Sequence, residues 1–475
     1  MSNRLLRSLP SIERLLERPL GSRLSAELGR DRVRDLLREI TAELRDQLTR
    51  APHSSANFQE SLTEEVERML ARRAAECAQP SLRRVINATG VLIHTNLGRS
   101  PLARQAIEAV AEVGANYSNL EYDLSRGERG KRETHCQELL SRLAGSEAAV
   151  LVNNNAAAVM LVLNTLAEGG EVIVSRGELI EIGGSFRIPD VMTKSGATLR
   201  EVGTTNRTRI ADYQRAINDR TKLILRVHPS NYRIIGFTER PSVQEIAQLS
   251  LETGIPSFED LGSGCLIDLS PYGVKDEPVV AESLKSGISV VSFSGDKMLG
   301  GPQAGVIAGS RKIIDQVRAN PLMRALRVDK MTYAAFEATL RLYESNTADL
   351  EVPVIRAIAL TREEIGRRAN LFCESVNQST NGEFTAKIEE GASVIGGGSA
   401  PEVKLPTMLV VLEHSALSSS SIVEGLRSYR IPIIARMERD RVLLDFRTVG
   451  QEEEDIILDA IKGIAQPAPQ TAASV

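Results

Sequence analysis

The stretch VVSFSGDKMLGGPQAGVIAG, residues 290–309, decides the class of fold. An apolar run leads into Ser-Gly-Asp-Lys, then into Gly-Gly-Pro, and a second apolar run follows. Lys297 therefore stands in a tight loop directly after a strand apolar enough to be buried. The plain interpretation is a lysine in an exposed turn. The other is a lysine at the edge of a buried sheet, where its amine is neutral enough for Schiff-base chemistry.

Short apolar runs of the same kind lie around this stretch and alternate with helical patterns, such as those at residues 156–168 and 242–253. The runs are AAVLV (148–152), EVIVS (171–175), TLREV (198–202), KLILRV (222–227), IPSFED (255–260), ISVVSF (288–293) and AGVIAG (304–309). Alternating strands and helices predict an α/β fold whose large sheet is mostly parallel and covered on both faces. We expect this large domain to span residues 79–350.

The first part of the chain has a different pattern. Val33, Leu36, Leu37, Ile40, Leu44 and Leu48 recur at helical spacing, and Asp31 is the expected N-cap. A second helix is predicted at 61–77, after the polar segment 51–59. Residues 1–85 carry 16 Arg, no Lys and 13 acidic residues, whereas the whole chain has a net charge of −4. We expect a helical domain over 1–78, with either an ordinary solvated face or an anionic partner.

The last part of the chain predicts a smaller α+β domain over residues 351–465. Residues 321–370 are helical in pattern, and further helices are predicted near 421–429 and 452–464. Strand-like runs follow at EFTAKIEE (383–390), TMLVVLEH (407–414), IPIIARME (431–438) and RVLLDFRT (441–448). Residues 391–403 are expected to form a glycine-rich loop, and 466–475 a disordered tail.

Composition narrows the classes of protein. The chain has 475 residues, 42% hydrophobic and 25% charged, which is typical of a globular protein and not of a disordered or fibrous one. No apolar run approaches the length of a membrane span, and the N-terminus does not look like a secretory signal. The four cysteines are far apart, so we expect a reducing cytoplasm, no disulfide framework and no metal site. No P-loop or Rossmann glycine pattern is present, which disfavours kinases and dehydrogenases.

Two further motifs point to a ligand at one edge of the sheet. In LVNNNAAAVMLVLNTL (151–166) a strand ends and a helix begins near Asn155. Asn154, Asn155 and Ala156 could offer backbone N–H groups to a phosphate, or simply cap a tightly packed helix. In SFEDLGSG (257–264), Asp260 ends a strand and either faces the ligand or caps its own loop.

Together these motifs satisfy the needs of pyridoxal 5′-phosphate. Its phosphate requires N–H donors, its pyridine nitrogen a carboxylate such as Asp260, and its aldehyde a lysine such as Lys297. Four other side chains are expected to contact this cofactor. They are Ser292 and Ser294, aimed at the phosphate, and His228 and Asn231 in RVHPSNYRIIGFTE (226–239), near the ring.

Longer blocks carry a family resemblance. They are RRVINATGVLIHTNLGRSPL (83–102), SRGELIEIGGSFRIPDVM (175–192) and SFSGDKMLGGPQAG (292–305). These blocks resemble the bacterial selenocysteine synthases, the L-seryl-tRNA(Sec) selenium transferases, which are fold-type I pyridoxal-phosphate enzymes. The resemblance runs over nearly the whole chain and includes a helical N-terminal domain that such enzymes use to hold tRNA.

The resemblance implies a function and a set of residues. Lys297 matches the lysine that carries the cofactor, and Asp260 the acid that faces the pyridine nitrogen. Arg99, Arg324 and Arg327 match the arginines that hold the anionic selenium donor, selenophosphate. The implied reaction converts L-seryl-tRNA(Sec) to L-selenocysteinyl-tRNA(Sec) through a cofactor-bound aminoacrylyl (dehydroalanyl) intermediate. Family members form large rings of dimers, so we expect a homo-oligomer built as a dimer-based ring, as large as a decamer.

Two other functions stay open at this point. The first is a lyase of the same fold, ammonia-lyase-like, that acts on a small amino acid or amino-sugar acid. Such an enzyme would need an arginine that binds the free carboxylate of its substrate. Arg436 and Arg447 are the less favoured candidates for this role. The second is a catalytically silent tRNA-binding protein, which the intact pair of Asp260 and Lys297 disfavours.

Overall fold

The protein is described by a computed structural model that covers residues 9–50, 58–78, 80–182, 186–275 and 277–465. The predicted tail, 466–475, and most of the segment 51–59 lie outside these ranges. The chain divides into two compact units, Met1–Arg84 and Val85–Val475. Each unit buries a hydrophobic core of its own.

The first unit is helical, as its pattern predicts. Its described helices are α1 (Ile12–Glu17), α2 (Pro19–Leu28), α3 (Arg30–Arg50) and α4 (Phe58–Ala78). Val33, Leu37 and Ile40 are fully buried on one face of α3. The expected N-cap at Asp31 is wrong. Gly29, with a φ of 88°, ends α2 and lets α3 begin at once, so Asp31 already lies in the first turn of α3.

The second unit contains every strand in the described ranges. These strands are β1 (Ile86–Ala88), β2 (Val91–Ile93), β3 (Tyr122–Asp123), β4 (Glu128–Arg129), β5 (Ala148–Val152), β6 (Glu171–Ser175), β7 (Glu181–Ile182), β8 (Phe186–Arg187), β9 (Thr198–Val202), β10 (Thr221–Val227), β11 (Ser257–Gly262), β12 (Val290–Ser294), β13 (Gly305–Gly309), β14 (Phe384–Gly396), β15 (Ser399–His414), β16 (Ile433–Glu438) and β17 (Arg441–Asp445).

The helices of the second unit cover its sheets. They are α5 (Arg104–Ala115), α6 (Thr134–Ala144), α7 (Asn155–Ala167), α8 (Ile188–Lys194), α9 (Ile210–Ala216), α10 (Val243–Thr253), α11 (Val280–Lys285), α12 (Arg311–Ala319), α13 (Leu322–Leu326), α14 (Lys330–Glu344), α15 (Ala348–Glu351), α16 (Pro353–Ala359), α17 (Arg362–Ser379), α18 (Ser419–Arg427) and α19 (Gln451–Ala465). None of the helices in the described ranges is long and apolar enough to cross a membrane.

A seven-stranded sheet forms the centre of the second unit, in the order β5-β13-β12-β11-β10-β6-β9. The strands from β12 to β9 run parallel, and only β13 runs antiparallel to its neighbours. This mostly parallel sheet is the one predicted from the alternating pattern. Its predicted strands and helices agree with the observed ones to within two residues, because buried parallel strands are nearly continuous apolar runs.

A six-stranded sheet forms the smaller part of the unit, in the order β1-β16-β17-β15-β14-β2. Its edge strands, β1 and β2, come from residues 86–93, although we expected the small domain to begin only at residue 351. Both edge strands pair in parallel with strands from the C-terminal part of the chain. Such pairing joins residues some 300 positions apart, and a local pattern does not indicate it.

The expected glycine-rich loop at 391–403 is wrong. These residues lie in the hairpin of β14 and β15, which is paired from Phe384–His414 up to Gly396–Ser399. Only Gly397 and Gly398 form the turn, with φ values of 63° and 68°. Two consecutive positive φ values suit a two-residue hairpin turn, and glycine adopts them without steric strain.

Candidate active site

Lys297 lies in the tight loop after β12 and is only 6% exposed. The loop closes through Gly301 N–H, which donates to the carbonyl of Gly295 at 2.8 Å. A side chain at Gly295 would clash with Phe336 and with the Pro302 carbonyl, so this turn requires glycine. Burial lowers the pKa of Lys297, and the positive charge of Arg99 lowers it further against the opposing carboxylates around it. The amine is therefore more often neutral than an exposed lysine.

Asp260 lies in β11, two residues before the end of the strand at Gly262, and is 4% exposed. Its Oδ1 accepts a hydrogen bond from Asn155 Nδ2 at 2.8 Å and one from the Gly262 N–H at 3.2 Å. Ser292 lies beside it in register on β12, and its hydroxyl donates to Asp260 Oδ1 at 3.5 Å. Burial raises the pKa of Asp260, while the Asn155 hydrogen bond and the charge of Lys297 act in the other direction.

The first turn of α7 lies at the carboxyl end of β5. Asn154 is the N-cap, and its Oδ1 accepts the Ala157 N–H at 2.9 Å. The N–H groups of Asn155 and Ala156 come first in the helix, so they have no partner within it. Gly305 of β13 packs against the backbone of Asn154, where a side chain would clash. The structure thus combines the two interpretations, a capped helix and free donors at its start.

Arg99 lies next to the lysine loop, as the resemblance implies. Its guanidinium forms an ion pair with Asp296, the residue before Lys297. Ser100 Oγ donates to the Lys297 carbonyl at 2.8 Å, which fixes the two loops together. Arg99 has a φ of 66°, a left-handed conformation that costs a non-glycine residue about 1 kcal/mol. The ion pair and the serine hydrogen bond hold it there.

Arg324 and Arg327 lie in another place. They flank the end of α13 in a groove of about 510 Å³ that contains further basic side chains, among them Arg129 and Arg132. Arg327 is 3.6 Å from Glu121 Oε1. The charges that act on Lys297 are those of Arg99, Asp260, Asp296 and Glu277. Within one chain the structure therefore brings Arg99 to Lys297, and leaves the other two arginines at the surface.

The other predicted cofactor contacts, His228, Asn231 and Ser294, lie in different surroundings. His228 follows β10 and is largely buried. Burial, with the charges of Arg240 and Arg226, lowers its pKa to about 3, so its ring is neutral. Asn231 donates to the Glu181 carbonyl at 2.9 Å. Ser294 ends β12, three residues before Lys297, and is 6% exposed.

The hairpin turn of β14 and β15 is a part of this site that the sequence motifs missed. A Cβ built on Gly398 would lie 3.8 Å from Lys297 Nζ, 3.8 Å from Ser230 Oγ and 3.6 Å from the Cβ of Asn231. The turn therefore passes directly over Lys297. The run of three glycines at 396–398 is a signal of close approach, but it does not indicate what is approached.

Arg447 does not serve as a carboxylate clamp. It is 4% exposed, and its guanidinium donates to the carbonyls of Ala357, Leu360 and Pro406 and to Ser393 Oγ. These bonds use most of its five N–H groups. Arg436 donates to the Ala392 carbonyl at 3.3 Å. No group of three His, Cys, Asp or Glu side chains in the described residues could hold a metal ion.

Two family models and several known proteins match most of the chain. A family model described as L-seryl-tRNA selenium transferase matches residues 85–450, and one described as selenocysteine synthase N terminal matches residues 6–45. The L-seryl-tRNA(Sec) selenium transferase of Geobacter metallireducens is 47% identical over 422 residues, which cover 88% of this chain and 91% of that protein. The enzyme of the same name from Clostridium botulinum strain Okra is 46% identical over 459 residues, with 96% and 98% covered.

Among solved structures, that of D-glucosaminate-6-phosphate ammonia-lyase is similar with a TM-score of 0.56 and 20% sequence identity. The match covers 81% of this chain and 96% of the other. At this identity the likeness concerns the fold alone. The architecture is fold-type I, with the mostly parallel seven-stranded sheet at its centre.

Proposed function

The chain belongs to the family of L-seryl-tRNA selenium transferases and catalyses selenium transfer to L-seryl-tRNA(Sec), and we propose that this transfer takes place at Lys297. The proposed cofactor is pyridoxal 5′-phosphate, and the proposed selenium donor is selenophosphate. The observation that carries this assignment is the burial of Lys297 and Asp260 at one sheet edge, with their charges acting on each other.

The residues present fit this cofactor. Lys297 would hold its aldehyde, Asp260 its pyridine nitrogen, and the first N–H groups of α7 its phosphate. The buried Oδ1 of Asn155, whose amide nitrogen holds Asp260, has no hydrogen-bond partner among the described residues. Buried polar atoms are normally paired, so this atom supports a polar ligand at the site. Contacts from Ser292, Ser294, His228 and Asn231 remain part of the proposal.

Lys297 and Asp260 are the residues proposed to serve the transfer of the Cα proton of the seryl group. When bound, pyridoxal phosphate supplies an electron sink that makes the Cα proton of the seryl group acidic. Lys297 Nζ, with its lowered pKa, is the base placed to take that proton and to return one to the departing β-hydroxyl. Asp260 would face the ring nitrogen with its carboxylate, and the hydrogen bond from Asn155 holds its Oδ1 in place.

The selenium donor is an oxyanion, and Arg99 is a cation whose charge acts on Lys297. A guanidinium binds such an anion in a planar, bidentate manner. Asp296 fixes the direction of Arg99, so the donor would approach from the side of that loop. For Arg324 and Arg327 we propose the same role from a neighbouring subunit, since they are exposed in their own chain. A dimer-based ring would supply that neighbour.

We propose that the helical domain of residues 1–78 binds the body of the tRNA. A seryl group is too small to distinguish one tRNA from another, so discrimination requires contacts far from the chemistry. Arginine is the only cationic residue type in this segment, and phosphate contacts by arginine are a suitable source of affinity. The cytoplasm is the proposed location, because aminoacyl-tRNA is found there.

One experiment tests the activity against the lyase alternative. Purified protein with pyridoxal phosphate is given seryl-tRNA(Sec) and selenophosphate, and the aminoacyl group is identified by mass spectrometry after release from the tRNA. We expect selenocysteine in place of serine. Release of ammonia from free amino acids or amino-sugar acids, with seryl-tRNA(Sec) left unchanged, would instead support the lyase. The commitment of Arg447 to backbone carbonyls favours the first result.

A further inference from the structure

Glu277 is a buried acid for which the reaction described above has no role. It lies in the loop before α11 and is 8% exposed. Its Oε1 accepts a hydrogen bond from the hydroxyl of Ser263, and its Oε2 accepts the backbone N–H of Ala400 at 2.9 Å. Among the ion pairs of the described residues, none includes Glu277. The charge of Lys297 acts on Glu277 without forming an ion pair with it. A buried carboxylate without a paired cation is costly, and its two hydrogen bonds offset part of that cost.

The two partners of Glu277 belong to opposite sides of the site. Ser263 follows the strand that carries Asp260, and its carbonyl accepts the N–H of Met298, the residue after Lys297, at 3.0 Å. Ala400 follows the hairpin turn that passes over Lys297. The Glu277 carboxylate thus connects the segment after β11, which is bonded to the lysine loop, with the hairpin turn that passes over Lys297.

The hairpin turn over Lys297, at residues 396–400, has a strained backbone. Ala400 has a φ of 41°, a left-handed conformation in a residue that is not glycine, and the glycines at 396–398 all have positive φ. Such a conformation persists only where its surroundings hold it. The hydrogen bond from the Ala400 N–H to Glu277 is the side-chain contact that does so.

We propose that Glu277 is a positioning residue for selenium transfer, which holds the hairpin turn at residues 396–400 over Lys297 by binding Ser263 and Ala400 together. This inference rests on the proposed function, because it assigns the turn to the reaction at Lys297. The turn keeps water away from the amine while the β-hydroxyl leaves and selenium arrives. Glu277 itself does not touch the reacting atoms.

Two substitutions of Glu277 distinguish the effect of side-chain length from the effect of side-chain charge. Glu277→Gln keeps the length of the side chain. Its amide oxygen can accept the Ala400 N–H, and its amide nitrogen can donate to Ser263 Oγ. Glu277→Asp keeps the charge but is one methylene shorter, so its carboxylate cannot reach both partners. Glu282→Gln, on the exposed face of α11, is the matched control for loss of a carboxylate.

Hydrogen exchange of the full-length protein, followed by mass spectrometry, gives a readout that needs no substrate. We expect the peptide over 396–400 to exchange about tenfold faster in Glu277→Asp, as a lost hydrogen bond implies, and at the wild-type rate in Glu277→Gln and Glu282→Gln. Peptides of β10 and β12 should be unchanged in all variants, which shows that the fold is intact.

Kinetics should follow the same order. We expect kcat for selenium transfer to fall about tenfold in Glu277→Asp with little change in KM for seryl-tRNA(Sec), and to stay near wild type in Glu277→Gln. The reverse order, an active Asp variant and an inactive Gln variant, would overturn the proposal in favour of a charge effect on Lys297. Unchanged exchange in both variants would overturn it as well. If the wild type transferred no selenium, the function would fail, yet the exchange result would still decide whether Glu277 holds the turn.

Discussion

Asn155 Nδ2 lies 2.8 Å from Oδ1 of Asp260, so the first residue of α7 directly holds the acid within β11. The two residues are 105 positions apart in the chain. The contact links the proposed phosphate site at the start of α7 to the proposed partner of the ring nitrogen, because the same turn offers N–H donors and orients the Asp260 carboxylate. It also leads to the first test.

Asn155→Ala should weaken the reaction without abolishing it. Loss of the Asn155 hydrogen bond lets the pKa of Asp260 rise further, because that bond is the largest influence that lowers it. A net hydrogen bond to a charged group is worth about 1.5–3 kcal/mol, so we expect a ten- to hundredfold lower turnover. Asn164→Ala is the control, since Asn164 lies in the same helix and binds the Ser195 carbonyl away from the site. Equal losses in both variants would contradict the role of Asn155.

Lys297→Ala should remove covalent attachment of the cofactor and lower turnover by at least about a hundredfold, because both the anchor and the base are lost. The measurement is borohydride reduction, digestion and mass spectrometry of the peptide that contains residue 297. Lys285→Ala, on the exposed surface of α11, should behave like the wild type. A Lys297→Ala protein that turned over at the wild-type rate would refute the assignment.

Asp260→Asn should keep the cofactor attached but slow removal of the Cα proton. The amide retains the shape of the side chain and can still accept from Asn155, whereas its negative charge is gone. We expect a fall of at least about a hundredfold in the rate of elimination from seryl-tRNA(Sec), measured by rapid quench. Elimination at an unchanged rate would mean that Asp260 only caps its own loop.

Asp296→Asn should affect the selenium donor more than seryl-tRNA(Sec). The substitution removes the charge that fixes Arg99, and we expect the KM for selenophosphate to rise about tenfold while elimination proceeds as before. Asp315→Asn breaks a comparable Asp–Arg pair on the surface of α12 and serves as the control. A change in KM for seryl-tRNA(Sec) alone would argue against Arg99 as a donor-binding residue.

Deletion of Met1–Arg84 should leave a folded, cofactor-bearing protein with most of its affinity for seryl-tRNA(Sec) lost. The deleted unit has its own hydrophobic core, and the remaining unit keeps both of its large sheets. Titration of both proteins at two salt concentrations measures the effect. Binding by the intact protein should weaken with salt in proportion to the phosphates neutralised, and equal affinity of the two proteins would assign the domain another task.

How much the sequence predicted depended on how local each feature is. Strands β5, β6 and β9 agree with the predicted runs residue for residue. Every residue of β5 and β6 is buried, which makes these strands continuous apolar runs, whereas β9 lies at the edge of the sheet and is mostly exposed. Lys297 and Asp260 could be singled out because each follows such a run, and parallel strands place their carboxyl ends at one edge. These features depend on a few neighbouring residues.

The rest depended on contacts between distant parts of the chain. Tertiary structure decided that Asn155 holds Asp260, that Asp296 directs Arg99, and that residues 86–93 join the small sheet. It also turned a glycine-rich segment into a hairpin over Lys297, with Glu277 holding its turn. Each of these contacts requires the whole fold to bring two segments together, and a hydrogen bond or ion pair leaves no periodic trace in either segment.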